Sequence, residues 1–533
     1  MKEVGGYPIV LTADRTLMSE YGGSIFLGFS SVVPEKLAPE PVYFSLFCPP
    51  IKANKDGSVP VAPCGTRKIE SILLEGGFTR NDVIVAHPEQ LHKVVGPNTK
   101  VVGFTENDPL GIGPATSTFT SIFGGDAYMK IKFREALNHP AIQKYKPNII
   151  VGGPGAWQLT DSAVRKELGI TTVVLGEGEM VVPDLFQKAV RGEPLPGMVM
   201  GEVTPINQIA LLQGATVDGL VEISRGCGRG CDFCVPTMAK YRCREIKDIL
   251  TDVKVNLAAG RQPCLHAEDV VRYGAKKIEV DPKQLVGLFK AVSEVPGVDR
   301  MTISHFALAS VASAPDEIRS ISEIMRVTEK QWMSGQTGIE TGSPELMKRY
   351  MIGKCRPFEP DAWQETVVDA FKILDKNHWI PCGTLIMGLP GETEKDVEMT
   401  LELIKKIDGY RSLIVPLFFV ASGEMNNGEK SFTAEQMTKA HTQLFLNCWE
   451  HNLRWSPDIV NDWAARSIRN PLVRPMLKLI LRFGITEAKE VIRMCRKDYD
   501  LDVQAFMEDK RKGNVKLFPM TVSAFGHMLR NDF

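Results

Sequence analysis

The chain has 533 residues, a formal net charge of -1 and a pI near 6.8. This length predicts two to four domains, and the balanced charge argues against a duplex nucleic-acid partner bound by bulk electrostatics. The eleven cysteines are spread along the sequence, which favours a reducing compartment. Because no signal peptide and no run long enough to span a bilayer are evident, we expect a cytoplasmic protein without a membrane partner.

Residues 1–200 alternate short β-branched runs with helix-compatible stretches, which predicts a doubly wound, Rossmann-like α/β domain with a parallel sheet. The strand-like runs are residues 41–47, 82–86, 100–104, 148–151 and 171–175. Helix-compatible stretches include residues 66–75 and 131–137. Sheets of this class bind ligands at the carboxyl ends of their strands.

The loops after several of these strands are rich in glycine, proline and small polar residues, which allow a large planar ligand to approach the backbone closely. The candidate contacts are Asn107, Asp108, Gly111, Gly113, Thr116, Ser117, Gly152, Gly153, Pro154, Gly176, Glu177 and Gly178. A domain of this type that has lost its ligand is the alternative. The histidines of this region, His87, His92 and His139, are interpreted as surface or packing residues.

Residues 222–234 contain Cys227, Cys231 and Cys234 in a C-x3-C-x2-C spacing, directly after an apolar strand-like run. Three thiolates can hold three irons of a [4Fe-4S] cluster, and the missing fourth leaves one iron open to an exogenous ligand. A zinc site would need a further Cys or His at similar spacing, and none follows near the loop. Three unrelated thiols are the remaining alternative.

Residues 216–425 show six strand-like runs, near residues 219, 262, 301, 335, 383 and 413, separated by helical stretches that include 282–292 and 394–407. This pattern predicts a partial (β/α)6 barrel of the TIM type, with functional groups at its C-terminal face. We interpret His305 as structural, and we expect Glu392 to cap the next helix.

Residues 431–533 are predicted to be helical, with basic amphipathic stretches such as residues 472–483. Cys448 and Cys495 stand alone there, so an auxiliary iron-sulfur domain is not expected. A cover for the barrel and a grip on a macromolecular substrate are both compatible with such a unit.

The cysteine loop resembles that of the radical S-adenosylmethionine (SAM) superfamily. The order of residues 152–154, residues 176–179 and the cysteine loop resembles cobalamin-dependent radical SAM methyltransferases. This resemblance implies a [4Fe-4S] cluster, SAM chelated to the open iron, cobalamin over the barrel mouth and an external electron donor. It also implies a 5′-deoxyadenosyl radical, SAM contacts by Phe233, Glu268, Ser304, Glu340 and Gly388, and, without a D-x-H-x-x-G motif, cobalamin bound base-off.

Residues 49–67, 106–111 and 265–269 resemble the methanogen enzymes that C-methylate a glutamine of methyl-coenzyme M reductase. The resemblance implies a post-translational modification linked to methanogenesis, with the reductase alpha subunit as partner. The alternatives are methylation of a small molecule or of another protein residue, a methylthiotransferase, and a corrinoid sensor or electron carrier. A methylthiotransferase would need three more cysteines in the first domain, where only Cys48 and Cys64 occur.

Overall fold

The computed structural model describes residues 5–20, 29–37, 39–235, 238, 240–422, 425, 428–467 and 473–515. A parallel sheet, a second parallel sheet shaped as a partial barrel, and a group of helices follow one another along the chain. The predicted fold class is confirmed.

The first unit is built on six parallel strands. They are β1 (Ile9–Thr12), β2 (Val83–Val85), β3 (Val101–Thr105), β4 (Asn148–Gly152), β5 (Thr172–Leu175) and β6 (Met198–Met200). Their spatial order is β2-β1-β3-β4-β5-β6. Ile9 and Leu11 enter the apolar core on one face, while Val10 enters the core on the other, because successive side chains alternate. The strand order reverses between β1 and β3, which is where sheets of this type bind ligands.

Within the described residues of this unit, eight α-helices occur. They are α1 (Glu40–Val42), α2 (Cys64–Glu75), α3 (Leu91–Val94), α4 (Pro114–Phe123), α5 (Tyr128–Leu137), α6 (Pro140–Tyr145), α7 (Ser162–Glu167) and α8 (Val182–Arg191). The prediction of a strand at residues 41–47 is wrong, since α1 continues there into a π-helical turn, Tyr43–Phe47. The Tyr43 ring stacks on Tyr128 with 4.4 Å between centroids, so tertiary packing outweighs strand propensity.

The second unit has six parallel strands in sequential order. They are β7 (Leu220–Glu222), β8 (Cys264–His266), β9 (Thr302–Ile303), β10 (Met333–Glu340), β11 (Trp379–Met387) and β12 (Leu413–Phe418). A parallel bridge between His305 and Gln336 joins β9 to β10, so the two three-stranded groups form one partial barrel. This agrees with the six repeats predicted from the sequence.

The helices of the barrel cover its outer face. They are α9 (Ile246–Ala258), α10 (Pro282–Ser293), α11 (Leu308–Ser313), α12 (Pro315–Ile324), α13 (Pro344–Tyr350), α14 (Trp363–Lys376) and α15 (Glu394–Ile407). The expected role of Glu392 as cap of α15 is wrong, because Thr393 is the N-cap and forms a capping box with Asp396. The Glu392 carboxylate instead accepts the Gly388 N–H at 2.6 Å and contacts His441 Nε2 at 3.0 Å.

In the described part of the chain after the barrel, the helices are α16 (Lys439–Ser467), α17 (Val473–Lys497) and α18 (Val503–Arg511). The Asn452 amide bonds both the N–H and the carbonyl of Ile414 at 2.7 Å, so α16 covers the edge strand β12. Residue 472 of the predicted amphipathic stretch and residues 516–533 of the predicted unit lie outside the described residues. Among the helices that the structure describes, none combines the length and apolarity needed to cross a membrane.

Candidate functional site

A cavity of about 1110 Å³ lies between the strand ends of the first sheet and the lumen of the barrel. Thr105, Gly152 and Leu175 line it from the first unit, while His266 and Ser304 line it from the barrel. Pockets for drug-sized ligands usually measure about 300–1,000 Å³. The cavity therefore has room for a ligand larger than an ordinary small molecule.

Seven of the twelve predicted contacts in the first unit line this cavity: Asn107, Gly152, Gly153, Pro154, Gly176, Glu177 and Gly178. The other five do not: Asp108, Gly111, Gly113, Thr116 and Ser117. Asp108 Oδ1 accepts the N–H groups of Ile112 and Gly113, which folds the loop back on itself. The helix that follows, α4, docks on the barrel, where Thr118 Oγ1 accepts the Phe418 N–H at 2.7 Å. This loop thus joins the two units.

At the end of β4, the fold requires a glycine at position 153 but not at the adjacent position 152. Gly153 has φ +99°, and a Cβ there would lie 2.7 Å from the Glu106 carbonyl oxygen, so the loop itself requires glycine. A Cβ on Gly152 would meet nothing nearer than Val174 at 3.8 Å. A side chain at position 152 would therefore occupy the cavity without a clash inside the protein.

Glu177 lines the cavity and also ties the first unit to the barrel. Its carboxylate lies 2.9 Å from Arg225 Nη1 and 2.5 Å from Arg242 Nη2. The two arginines belong to paired two-residue strands, Ser224–Arg225 and Arg242–Cys243, that flank the cysteine loop. Burial opposes ionisation, but the hydrogen bonds from both arginines hold the pKa of Glu177 below its ordinary value. Glu177 is therefore a structural ion-pair partner at the cavity wall.

A second buried ion pair joins the units beside α2. Lys68 Nζ lies 3.1 Å from Asp252 Oδ2 on α9, and Arg244 Nη1 lies 2.6 Å from the same oxygen. The side chains of these three residues are at most 5% exposed. Removing one partner of such a pair costs about 3–5 kcal/mol, because a buried charge is left uncompensated.

The three cysteines of the loop are half-buried, and none of them forms a disulfide. Cys227 and Gly228 both donate their N–H groups to the Met238 carbonyl at 2.9 Å, which closes the loop. A hydrogen bond with the Cys234 thiol lowers the pKa of Cys231, while burial raises the pKa of Cys227. Within the described ranges, no three Cys, His, Asp or Glu side chains surround one point as ligands of a single ion do. The thiolates of a [4Fe-4S] cluster differ, because each binds its own iron.

The remaining barrel candidates occupy two places. Glu268 and Ser304 line the cavity, with Ser304 Oγ 2.8 Å from His266 Nδ1. Phe233 lies in the cysteine loop, packs against the barrel core, and accepts the Ser422 hydroxyl at its carbonyl. Sequence reasoning missed His266, although its place on β8, two residues before Glu268, would have put both side chains on one face.

Glu340 and Gly388 lie at the ends of β10 and β11, outside the cavity wall. Glu340 has φ +63°, and its Oε1 lies 2.9 Å from Lys354 Nζ. A Cβ on Gly388 would lie 2.0 Å from Cγ of Phe432, so this glycine accommodates the Phe432 ring. Their predicted contacts with SAM stay predictions.

His305 also lines the cavity, so its structural interpretation stays a prediction. Its Nε2 lies 2.9 Å from Gln336 Oε1, and burial lowers its pKa to about 4. The imidazole is therefore neutral near pH 7.

Two buried carboxyl groups meet at the switch point between β1 and β3. Glu106 Oε1 accepts the Asp14 N–H at 2.9 Å. The outer oxygens, Asp14 Oδ2 and Glu106 Oε2, have no separate donor among the described residues. A proton shared between the two groups satisfies both oxygens. Burial raises the pKa of Asp14 to about 6, and burial together with the Asp14 charge raises that of Glu106 well above its ordinary value.

Comparison with known sequences gives partial matches. No protein family profile matches the chain. It is 28% identical over 217 residues to the ribosomal protein uS12 methylthiotransferase RimO of Leptospira biflexa, covering 39% of this chain and 43% of that protein. It is 24% identical over 277 residues to a tRNA-2-methylthio-N(6)-dimethylallyladenosine synthase of Corynebacterium efficiens, covering 50% of each.

An uncharacterised methyltransferase of Pyrococcus horikoshii is 24% identical over 341 residues, covering 58% of this chain and 66% of that protein. The chain thus spans between 43% and 66% of the length of these curated relatives.

Two solved structures share the fold. The radical S-adenosylmethionine methyltransferase TsrM from Kitasatospora setae, with tryptophan and a SAM analogue bound, has a TM-score of 0.50 at 14% identity, covering 78% of this chain and 75% of that one. The cobalamin-dependent S-adenosylmethionine radical enzyme OxsB has a TM-score of 0.51 at 12% identity, covering 95% and 75%. At such identities the likeness shows the architecture.

The Asp14–Glu106 pair predicts a pH dependence of stability. Because both folded-state pKa values are raised, the pair stabilises the fold fully below about pH 4 and loses this contribution as the pH rises through about 6. The Asp14 shift, from 3.8 to about 6, corresponds to about 3 kcal/mol. Thermal unfolding between about pH 5 and about pH 8 should show a falling melting temperature, and Glu106→Gln should flatten the fall.

The exposed carboxylate Glu167 provides the control, because Glu167→Gln should keep the native slope. A native melting temperature that does not change over this range, or an equal slope in Glu106→Gln, would contradict the shared proton.

Proposed function

We propose that the chain is an enzyme, a cobalamin-dependent radical SAM methyltransferase that adds a methyl group to an unactivated sp3 carbon. One observation carries this proposal: the cavity joins small-residue strand ends of a Rossmann-like sheet to the lumen of a partial barrel, beside a three-cysteine loop. The names of the sequence relatives and the fold shared with TsrM and OxsB support the same class.

The residues present fit the three cofactors. Cys227, Cys231 and Cys234 would hold a [4Fe-4S] cluster, and Gly152 and Gly176 leave room for a large ring at the cavity wall. When bound, SAM on the cluster supplies a deoxyadenosyl radical and cobalamin supplies a methyl group.

The chain itself contributes alignment and a largely apolar wall. Leu11, Val174 and Phe186 line the cavity and keep water from its first-unit side. Glu268 and the hydrogen-bonded pair His266–Ser304 place polar groups on the barrel side, where they can orient polar parts of a ligand.

For the substrate we propose a glutamine in a protein, in the alpha subunit of methyl-coenzyme M reductase, modified after translation in the cytoplasm of a methanogen. The sequence resemblance of residues 49–67, 106–111 and 265–269 supports this choice. An unactivated sp3 carbon of this kind does not react in a polar methyl transfer, so the reaction requires a radical. Forming that radical requires an electron from an external donor. The helical C-terminal unit offers surface for a protein partner.

The second candidate is a methylthiotransferase, which the names of several relatives favour. The sequence has two cysteines before the cysteine loop, Cys48 and Cys64, whereas a second three-thiolate cluster would need three. Cys48 is fully buried in a small aromatic core with Tyr43 and Tyr128. We therefore favour methyl transfer.

The cluster assignment predicts the effect of single cysteine changes. Replacing Cys227, Cys231 or Cys234 by Ala removes a thiolate, so iron content and 5′-deoxyadenosine formation should both fall to background. The measurements are iron quantitation after anaerobic reconstitution and chromatography of the SAM cleavage products. Cys448→Ala, at a buried position of α16 away from the cysteine loop, should keep both. The assignment would be contradicted if Cys448→Ala lost iron and 5′-deoxyadenosine formation while the three loop variants kept both.

The adjacent glycines predict two different phenotypes. Gly152→Leu should reduce retention of cobalamin at least tenfold and leave the melting temperature of the ligand-free protein unchanged, because the new side chain enters the cavity. Gly153→Ala should lower the melting temperature, because a side chain at this φ of +99° strains the backbone by about 1–3 kcal/mol. Absorption spectra after gel filtration and thermal unfolding measure the two effects. Full cobalamin retention by Gly152→Leu would contradict the proposed position of the ring.

The substrate proposal is tested with methyl-labelled SAM. The reduced enzyme with cobalamin should add one labelled methyl to an sp3 carbon of a glutamine in a peptide from the reductase active-site region. The matched peptide with Asn in place of that glutamine should stay unmodified, and tandem mass spectrometry locates the label. A methylthio group on the product would support the second candidate, and SAM cleavage without peptide methylation would exclude this substrate.

A further inference from the structure

Residues 351–356, the segment that follows α13, contact the cysteine loop through Arg229. The Arg229 Nη1 donates to the carbonyls of Gly353 at 3.0 Å, Lys354 at 3.2 Å and Arg356 at 2.8 Å. A Cβ on Gly353 would lie 1.8 Å from the Arg229 carbonyl oxygen, so the two backbones touch. Arg229 lies between Cys227 and Cys231, and this contact therefore fixes the segment relative to the thiols.

Arg229 is itself held from the barrel. Its Nη2 lies 3.1 Å from Asp269 Oδ2 and 2.8 Å from Ser310 Oγ, and the Ser310 hydroxyl donates to the same carboxylate at 2.6 Å. The Arg229 and Asp269 side chains are 3% and 2% exposed. The Asp232 N–H donates to the Tyr350 carbonyl at 3.0 Å, which adds a second anchor. The cysteine loop and the segment thus form one rigid unit.

This arrangement places Lys354 next to the cysteine loop, with its ammonium beside Glu340. Nζ lies 2.9 Å from Glu340 Oε1, with the two side chains 17% and 9% exposed. Burial opposes the charge, but Glu340 and then Cys231 raise the pKa of Lys354, so it stays cationic. Our sequence reasoning did not single out Lys354.

We propose that Lys354 is a positioning residue that holds Glu340 and raises the reduction potential of the cluster, an inference that rests on the proposed function. The reduction potential of an iron-sulfur cluster depends on the net charge around it. A cation close to the thiolates stabilises the reduced cluster, which carries one more negative charge than the oxidised one. Lys354 thereby eases the electron transfer from the external donor that precedes SAM cleavage.

The test is an EPR-monitored redox titration of the reconstituted full-length protein without SAM. In Lys354→Met, the ratio of reduced to oxidised cluster at a fixed potential should fall about tenfold, which corresponds to a shift of about 59 mV for one electron. Deoxyadenosine formation with a limiting donor should fall with it and recover with a stronger reductant. Lys348→Met removes an exposed lysine of α13 that pairs with Glu345 and Asp361, and it should titrate like the native protein.

Glu340→Gln is a second variant, and we expect it to shift the reduction potential of the cluster in the opposite direction. It removes the anion that compensates Lys354, so the reduced fraction at the same potential should rise. Opposite shifts in the two variants support the proposal, since general damage to the loop would not produce them. An unchanged potential in Lys354→Met with full iron content would overturn the role of Lys354 alone. A native protein that binds no cluster would overturn the proposed function and this inference with it.

Discussion

Buried ion pairs hold the strand ends of two parallel sheets face to face, and the rest of the site depends on this constraint. Glu177 pairs with Arg225 and Arg242, and Lys68 pairs with Asp252 on α9. Charges removed from water are stable only while paired, so the two units cannot separate without exposing or orphaning them. The cavity is the space that this fixed arrangement leaves between the sheets.

The same charges also connect the cavity wall to the chemistry beside it. Arg225 pairs with Glu222 at the end of β7 and, although burial opposes ionisation, holds the pKa of Glu222 at about 2. The cysteine loop begins immediately after this strand. A reaction between groups carried by two domains requires their alignment to within a fraction of an ångström. Arg225 therefore fixes the position of the cysteine loop relative to the cavity wall of the first unit.

Local patterns predicted the regular elements well, whereas contacts between distant residues decided the rest. The barrel strands and helices such as Pro282–Ser293 follow from periodicity within a short window. The run 41–47 is helical because of Tyr128, and Ile9–Thr12 was not predicted because four residues give little pattern. Seven of the twelve predicted loop contacts line the cavity. The loop around Asp108 turns away because the Asp108 carboxylate accepts hydrogen bonds from the backbone of its own loop.

The position of small residues distinguishes packing from ligand binding more sharply than their presence does. At Gly153, Gly353 and Gly388, a neighbouring group occupies the space that a side chain would need, so the fold itself requires glycine there. Gly152 faces space, and no contact within the protein requires it to be a glycine. A glycine retained without a structural need, at the carboxyl end of a strand in this topology, is best explained by a ligand that approaches the backbone there.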